Sequence, residues 1–390
     1  IGAGAAGMLC AGTAAEEGLS VLLLEKNHKV GRKLLITGKG RCNVTNNCDE
    51  DSFLKAVRRN PRFLYSAINR FSTADTMAFF EGLGVPLKTE RGNRVFPVSD
   101  RAADIVDALH RYVKRSGAEL REGEAKELLL DETGVRGVIC KDGSEIYARR
   151  VAVATGGVSY PQTGSTGDGY RFAKQAGHTV VPAVPSLVPI VTREDYCREM
   201  MGLSLRNVTL TVRRAGKKKP VFSELGEMLF THFGVSGPLV LSASAHMRHF
   251  GKKTYRLEID LKPALDEQAL DKRLLRDFEK YANHDFCNAL DDLLPQKLIP
   301  VAVERSGIPP HQKVHDLTRE QRRELVQSLK HFSVEIAGPC PVTDAIVTSG
   351  GIKISEIDPK TMESKLVKGL YFSGEIMDVD AYTGGFNLQI

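Results

Sequence analysis

No stretch of this 390-residue chain is apolar for the length that a membrane-crossing helix needs, which argues against an integral membrane protein. Its seven cysteines are odd in number, with no CxxC and no regular spacing. That disfavours a disulfide framework and suits a reducing, cytoplasmic compartment. HExxH, Cys and His clusters, the GxSxG elbow and the Walker motif are all missing, so metal-assisted hydrolysis, serine hydrolysis and P-loop chemistry are disfavoured and no metal ligands are expected. Acids are absent from one place in particular. Between Asn27 and Thr45, Lys29, Arg32, Lys33, Lys39 and Arg41 have no Asp or Glu among them, and an anionic ligand would account for that asymmetry. Elsewhere Lys and Arg are interspersed with acids and the net charge is a modest +6, which disfavours nucleic acid as a partner. Lys217, Lys218 and Lys219, following Gly216 between two strand-like stretches, read as a solvated hairpin tip.

What is present begins at the first residue. Gly2, Gly4 and Gly7 form GxGxxG, residues 5–17 read as an Ala-rich helix capped by Gly18, and 21–24 make a buried strand ending in Glu25. That context turns a weak glycine pattern into a dinucleotide fingerprint. Gly2 permits the tight turn, Gly4 lets backbone approach a pyrophosphate, and Gly7 lets helix and strand pack closely. The helix N-terminus offers N–H groups to phosphate. Glu25 is placed to accept hydrogen bonds from ribose hydroxyls, so FAD or NAD fits better than NADP.

Length allows two or three domains, and the 42% hydrophobic and 26% charged content is that of an ordinary globular chain. Residues 29–47 read as a Gly- and Asn-rich basic loop, and 53–83 as helical. An amphipathic helix is expected over 102–116, a strand near 118–121, and a β-meander over 125–130, 135–140 and 145–147. A short strand at 150–154 runs into Thr155, Gly156 and Gly157. A second glycine-rich loop then precedes a helix over 169–176. From 187 to about 261 alternation predicts antiparallel strands, and 263–330 is charge-rich and helical.

Four segments together resemble one family: GAGAAG at the start, GRKLLITGKGRCNVTN at 31–46, ATGGVSYPQTGSTGDGY at 154–170, and GLYFSGEIMDVDAYTGGFNLQI at 369–390. They look like the BaiN and aminoacetone-oxidase-like, or YhiN-type, family of FAD-binding flavoproteins, over essentially the whole chain. The resemblance implies an α/β fold: a Rossmann-like FAD-binding domain, three-layered, with a parallel sheet and β-meander, interrupted by an inserted β-barrel plus helical subdomain. The expected boundaries are 1–186 for the first part of the FAD domain, 187–262 for the barrel, 263–330 for the helical insert, 331–345 for the barrel's return strand, and 346–390 for the rest of the FAD domain.

Carried over residue by residue, the resemblance puts Gly2, Gly4, Ala5, Ala6 and Gly7 at the pyrophosphate and Glu25, with Lys26, at the adenosine ribose. It makes the segment of Gly31, Arg32, Lys33, Gly40, Arg41, Cys42 and Asn43 the loop that wraps the pyrophosphate and approaches the isoalloxazine. Ala125 falls where related two-dinucleotide folds contact adenine, and Thr155 and Gly156 match the returning strand. Gly374, Glu375 and Asp378 look like the second FAD fingerprint, with either carboxylate open for the ribityl contact. Gly384, Gly385, Phe386, Asn387 and Leu388 should open a helix toward the flavin pyrimidine ring. Catalytic residues are not marked with equal force; Arg41, Asn43 and Tyr160 are the candidates, and Cys42 without a partner thiol reads as a small loop residue. A second GxGxxG for NAD(P)H is also missing, so a nicotinamide reductant would bind without its own Rossmann domain.

The family implies an FAD-dependent oxidoreductase acting on a small-molecule substrate. The leading expectation is NAD(P)H-linked reduction of an unsaturated molecule of the bile-acid or steroid enone type. Alternatives are an aminoacetone-type amine oxidase producing hydrogen peroxide, and a non-catalytic flavin- or RNA-binding module.

Overall fold

The computed structural model describes residues 1–247, 250 and 252–390. It divides into two compact units, Ile1–Ser186 with Pro341–Ile390, and Leu187–Cys340.

The first unit is an α/β Rossmann-type fold. Strand Leu22–Glu25 pairs in parallel with Glu119–Glu122, and Val151–Val153 pairs in parallel with Leu370–Phe372. The first residues of the chain join the two pairs: Gly2 N–H donates to Leu24 O at 2.8 Å, and Ala154 N–H to Ile1 O at 2.9 Å. Helix Ala5–Glu16 follows the glycine turn and packs on helix Ala102–Arg115. The second helix buries Ala102, Ile105, Val106, Ala108, Leu109, Tyr112 and Val113, the three-and-four spacing of one apolar stripe, with Asp104 in its first turn and Lys114 and Arg115 in its last. Gly12 makes the close crossing possible, because a Cβ there would stand 2.2 Å from the Tyr112 ring. The meander is Ala125–Asp131, Gly134–Cys140 and Glu145–Tyr147. Strands Val180–Ser186 and Val347–Ile352 pair antiparallel, tying the two chain segments of the unit together.

Two stretches differ from their sequence patterns. The expected helix over 53–83 is broken into Glu50–Ala56, Tyr65–Arg70 and Thr73–Gly82, with a short strand at Val57–Arg59. The first helix stops where Val57 turns extended and pairs with Ala381, Asn60 in the left-handed region (φ 53) and Pro61 open the next turn, and Ser72 with Asp75 forms a capping box that starts the last helix. The 29–47 segment is more ordered than a loop. It holds helix Arg32–Ile36, a 3-10 turn at Thr37–Gly40 and strand Thr45–Asn46, and its glycines Gly31, Gly38 and Gly40 all have positive φ.

The second unit is a closed barrel with helices. Strand order is Ile190–Thr192, Gly234–Ser236, Phe222–Thr231, Ser204–Arg214, Tyr255–Asp260 and Phe332–Pro339, which returns to the first. Alternation along Tyr255–Asp260 buries Tyr255, Leu257 and Ile259, and the barrel core adds Leu210, Val212, Phe230, Phe332 and Val334. Helices Glu267–Lys280 and Arg319–Lys330 start on the caps Asp266 and Thr318 and pack on each other.

Candidate cofactor site

The three fingerprint glycines are required for different reasons. Gly2 has φ +100, and a Cβ there would stand 2.7 Å from Ala154 O; at Gly7 it would stand 1.8 Å from Gly2 O. Both glycines are therefore demanded by the protein's own backbone. At Gly4 a Cβ would meet nothing within 4 Å. Gly4 is also the N-cap of helix Ala5–Glu16, with no side chain capping the first turn and no acid in it. Open space in front of free N–H groups is the geometry in which an anion approaches the backbone.

Strands Leu22–Glu25, Val151–Val153 and Leu370–Phe372 all end at this side, where ligands bind in open parallel sheets. Glu25 is buried; its carboxylate accepts from Ala3 N–H at 2.6 Å, Asn27 N–H at 2.9 Å and Asn27 Nδ2 at 2.6 Å. Arg32 Nη1 donates to Asn27 Oδ1 at 2.6 Å, which links the basic segment to the acidic strand end. Lys26 Nζ reaches Thr166 Oγ1 and Asp168 Oδ2, both at 2.6 Å. Gly31 N–H donates to Ala3 O at 2.9 Å, holding this segment against the fingerprint. Gly123 N–H donates to Glu25 O at 2.8 Å, so Ala125, buried at the start of the meander, lies two residues past the same edge.

Glu375 is the centre of a network built from four remote segments. Lys33 Nζ donates to Glu375 Oε2 at 2.5 Å and to Ser159 Oγ at 2.6 Å. Ser159 Oγ donates to Glu375 Oε1 at 3.0 Å, and Thr348 N–H to the same oxygen at 2.8 Å. The Thr348 hydroxyl in turn accepts from Val158 N–H at 2.9 Å and Ser159 N–H at 3.2 Å. Gly374 has φ +82, and its Cβ would stand 3.0 Å from Ala6 Cβ, so this fingerprint lies against the first helix. Asp378 has different partners. Its carboxylate is buried, ion-paired to Arg59 and within 3.3 Å of Asn60 Nδ2, while its backbone O accepts from Asn60 Nδ2 at 2.6 Å.

Besides the ion-paired Arg59 Nε and Asp378 Oδ1, buried polar atoms of these segments without a hydrogen-bond partner include Asn43 Oδ1, Thr155 Oγ1 and the Tyr170 hydroxyl. Burial pushes the Tyr170 phenol well up, with Glu375 and Asp378 adding to the shift. Gly156, at φ +71, turns the chain directly after Thr155. Tyr160 is also left-handed, at φ 52, with its N–H on Thr343 O at 3.2 Å and its phenol raised first by burial and then by Asp344.

Other sequence candidates meet different surroundings. Arg41 Nη1 donates to Glu90 at 2.9 Å and Asp100 at 3.0 Å, and its guanidinium lies 4.0 Å from the Phe96 ring centre. Its charge is thus neutralised by acids 49 and 59 residues away, which the acid-free local sequence did not reveal. Cys42 is fully buried at φ 60, and burial pushes its thiol up to about 11, the opposite of a reactive thiolate. Gly40, at φ +83, makes the turn before it. At the far end, Gly385 has φ +100 and its Cβ would stand 2.2 Å from Thr45 O. Helix Phe386–Gln389 follows, with Phe386 edge-on to Phe53 and Asn387 bonded to the backbone of Ala381 and Tyr382. Asn46 Nδ2 donates to Gly384 O at 3.0 Å, and Leu388 packs in the cluster that holds Cys42 and Val44. The segments around 42–46 and 384–389 therefore meet. Ser159, Thr348 and Tyr170 were missed as site residues; Ser159 and Tyr170 stood inside the 154–170 motif, whereas Thr348 carried no sequence signal.

The family model for the HI0933-like protein Rossmann domain matches residues 1–390. The chain belongs to the HI0933-like family. Among relatives, this HI0933-like chain is 31% identical over 394 residues to a 3-dehydro-bile acid delta(4,6)-reductase of Clostridium scindens, covering 100% of this chain and 94% of that one. It is 33% identical over 394 residues to a ribosomal RNA dihydrouridine synthase of Haemophilus influenzae, again over 100% and 94%. A crystal structure of 3-ketosteroid-delta4-(5alpha)-dehydrogenase from Rhodococcus jostii, in complex with 4-androstene-3,17-dione, shares the fold with a TM-score of 0.51 at 14% identity, over 100% of this chain and 93% of that one. Among the described residues of the HI0933-like chain, no helix is long and apolar enough to cross a membrane.

Proposed function

We propose that this protein is an FAD-dependent reductase that adds hydrogen across a carbon–carbon double bond conjugated to a carbonyl, with NAD(P)H as the reductant. The observation that carries the reading is Gly4: alone of the three fingerprint glycines it has nothing within 4 Å of an added Cβ, while the loops at 25–33, 155–168 and 374–378 come together through hydrogen bonds at the same strand ends. The acceptor class is supported by the names of two relatives. A delta(4,6)-reductase of a 3-dehydro-bile acid and a synthase of dihydrouridine both saturate a double bond next to a carbonyl, one in a ring ketone and one in a uracil ring.

FAD, when bound, supplies two-electron hydride chemistry. The chain's residues supply placement. Ala5, Ala6 and Gly7 present N–H groups to the pyrophosphate, Gly4 lets it come close, and Glu25 accepts from the ribose hydroxyls. Glu375, oriented by Lys33, Ser159 and Thr348, would take the ribityl contact, while Asp378 is engaged by Arg59 and Asn60. The orphan oxygens of Asn43 and Thr155 and the Tyr170 hydroxyl are the buried groups with hydrogen-bonding capacity left for a ligand. The net reaction takes a hydride from NAD(P)H to the β-carbon and a proton from solvent to the α-carbon.

The test is anaerobic. NADH or NADPH should bleach the bound flavin, and an enone should restore its colour with one C=C lost per turnover. Bleaching by amines with peroxide release in air, and none by NAD(P)H, would instead identify an amine oxidase. Flavin that no donor reduces would make the chain a binding module.

A further inference from the structure

We propose that His178 is a positioning residue for the second FAD fingerprint, which it holds in place through the hydroxyl of Ser364 and only as a neutral ring. The proposal rests on the FAD reading for the identity of the ligand at Glu375, but its test reads cofactor retention and loop opening, not turnover.

The ring is set between two parts of the first unit. Helix Asp168–Gln175 ends, Gly177 turns the chain at φ +82, and His178 N–H donates to Ala173 O at 2.9 Å. The side chain is buried and stands edge-on to the Phe372 ring, with centroids 4.9 Å apart. Nε2 lies 2.7 Å from Ser364 Oγ, and Nδ1 lies 3.3 Å from the Glu356 carboxylate without a hydrogen-bond partner. Ser364 belongs to the loop that feeds the strand Leu370–Phe372. Its N–H donates to Leu370 O at 2.7 Å, Phe372 N–H donates to Met362 O at 3.1 Å, and Gly369 N–H donates to the Glu363 carboxylate at 2.7 Å. Gly374 and Glu375 follow directly on that strand.

A serine, a histidine and a carboxylate in this order are the parts of a hydrolase triad. Here the hydroxyl is buried and already engaged. Ser364 Oγ accepts from Leu366 N–H at 3.0 Å and from Val367 N–H at 2.9 Å, which fills both of its lone pairs. What is left is the hydroxyl hydrogen, and it faces Nε2. Nε2 therefore accepts, and the single ring proton sits on Nδ1 beside Glu356. A second proton would aim an Nε2–H at an oxygen with no lone pair free. Either the contact with His178 or the N–H bonds that close the loop must then break.

The charges around the ring are few. Glu356 acts on it directly; that carboxylate accepts from Thr179 N–H at 2.8 Å, and Lys353 Nζ stands 3.8 Å from its other oxygen. On the neighbouring elements, Glu363 and Arg150 engage Tyr371, Arg171 pairs with Asp168, and Lys174 is exposed. Burial holds the ring below the ordinary histidine range, against the opposing pull of Glu356. The sign follows: the closed loop takes up the proton less readily than the open one, so FAD retention is full above about pH 6.5 and falls as pH drops below it.

The experiment follows the fluorescence of flavin released from the FAD-loaded full chain between pH 5 and 8, with hydrogen exchange of residues 357–371 measured alongside. In wild type the Kd for FAD should be about fivefold or more higher at pH 5.5 than at pH 7.5, within the limit of about tenfold per pH unit for one proton. His178→Gln keeps an acceptor for the Ser364 hydroxyl and does not titrate, so it should match wild type within about twofold at pH 7.5 and lose most of the pH dependence. Glu356→Gln still accepts from Thr179 but removes the charge that favours the second proton, so the loss should begin about one pH unit lower. If His178→Gln failed to fold, Glu356→Gln would decide alone. Exchange of 357–371, corrected for the intrinsic rate, should rise below about pH 6.5 in wild type and not in His178→Gln. A flat wild-type profile, an equal slope in His178→Gln, an unmoved onset in Glu356→Gln, or loop opening with no change in the Kd for FAD would each overturn the proposal. The expected pattern of FAD release in a chain that reduces no enone with NAD(P)H would sink the reductase reading and leave the role of His178 standing.

Discussion

In the first unit, Lys33 and Arg41 look unopposed in the local sequence and Lys26 has only Glu25 beside it, yet each finds a carboxylate from far along the chain: Glu375, Glu90 with Asp100, and Asp168. At the barrel end, Lys217, Lys218 and Lys219 read as a solvated hairpin tip, and they have no ion-pair partner among the described residues. The difference teaches that an acid-free run says little about free positive charge. Pairing is decided by which loops the topology brings together, at separations of 142 residues for Lys26 and 342 for Lys33.

The sharpest way to break this comparison is at the glycines. Gly7→Val forces a side chain into Gly2 O and should cost about 3 kcal/mol or more of stability, read as a large fall in the denaturant midpoint. Gly4→Val should leave that midpoint near wild type while abolishing the yellow colour. If Gly4→Val kept full FAD occupancy, the open space at this position would not be a ligand's.

Next in size is the paired lysine. Lys33→Met strips Glu375 of its cation while leaving Ser159 and Thr348 in place; FAD affinity should fall about tenfold, of the order of one hydrogen bond to a charged group, and Lys33→Arg should recover part of it. Unchanged affinity in Lys33→Met, measured by titrating FAD into apoprotein, would remove Glu375 from the ribityl assignment. Arg41→Leu should act on stability alone through Glu90 and Asp100, by about 0.5–1 kcal/mol given its partial exposure, checked by chemical denaturation.

The smallest effect is a pH slope. Burial pushes the thiols of Cys42, Cys48 and Cys197 up to about 11. An unfolded thiol ionises near 8.5, so between about pH 8.5 and 11 the unfolded chain loses protons that the folded chain keeps, and stability falls as pH rises. Cys42→Ala should remove part of that fall between pH 8 and 10.5, and a slope identical to wild type would show that Cys42 is not the source.

Much of the fold was legible. The glycine spacing, the stripe of 102–116 and the alternation at 125–147 are local signals, because backbone geometry and one-sided burial act over a few residues. The broken helices over 50–82 were not, since Asn60 at positive φ and the strand Val57–Arg59 depend on pairing with Asp380 and Ala381. Arg41 was illegible for a related reason: its cation is settled by a hairpin at 87–97 and by Asp100. The Glu375 network shows the same limit. The motifs located both Glu375 and Lys33, but not that the two pair, and Thr348, which also orients the carboxylate, carried no sequence signal.

The first unit is discontinuous in the chain, and this bears on its synthesis. All six barrel strands, from Ile190 to Pro339, leave the ribosome before Leu370–Phe372, the partner of Val151–Val153. A barrel whose strand pairings are all internal can close while the nucleotide sheet still has a bare parallel edge. That edge, Val151–Val153, is exposed for the time needed to make about 200 more residues, and it is where a stalled nascent chain would pair with the wrong strand.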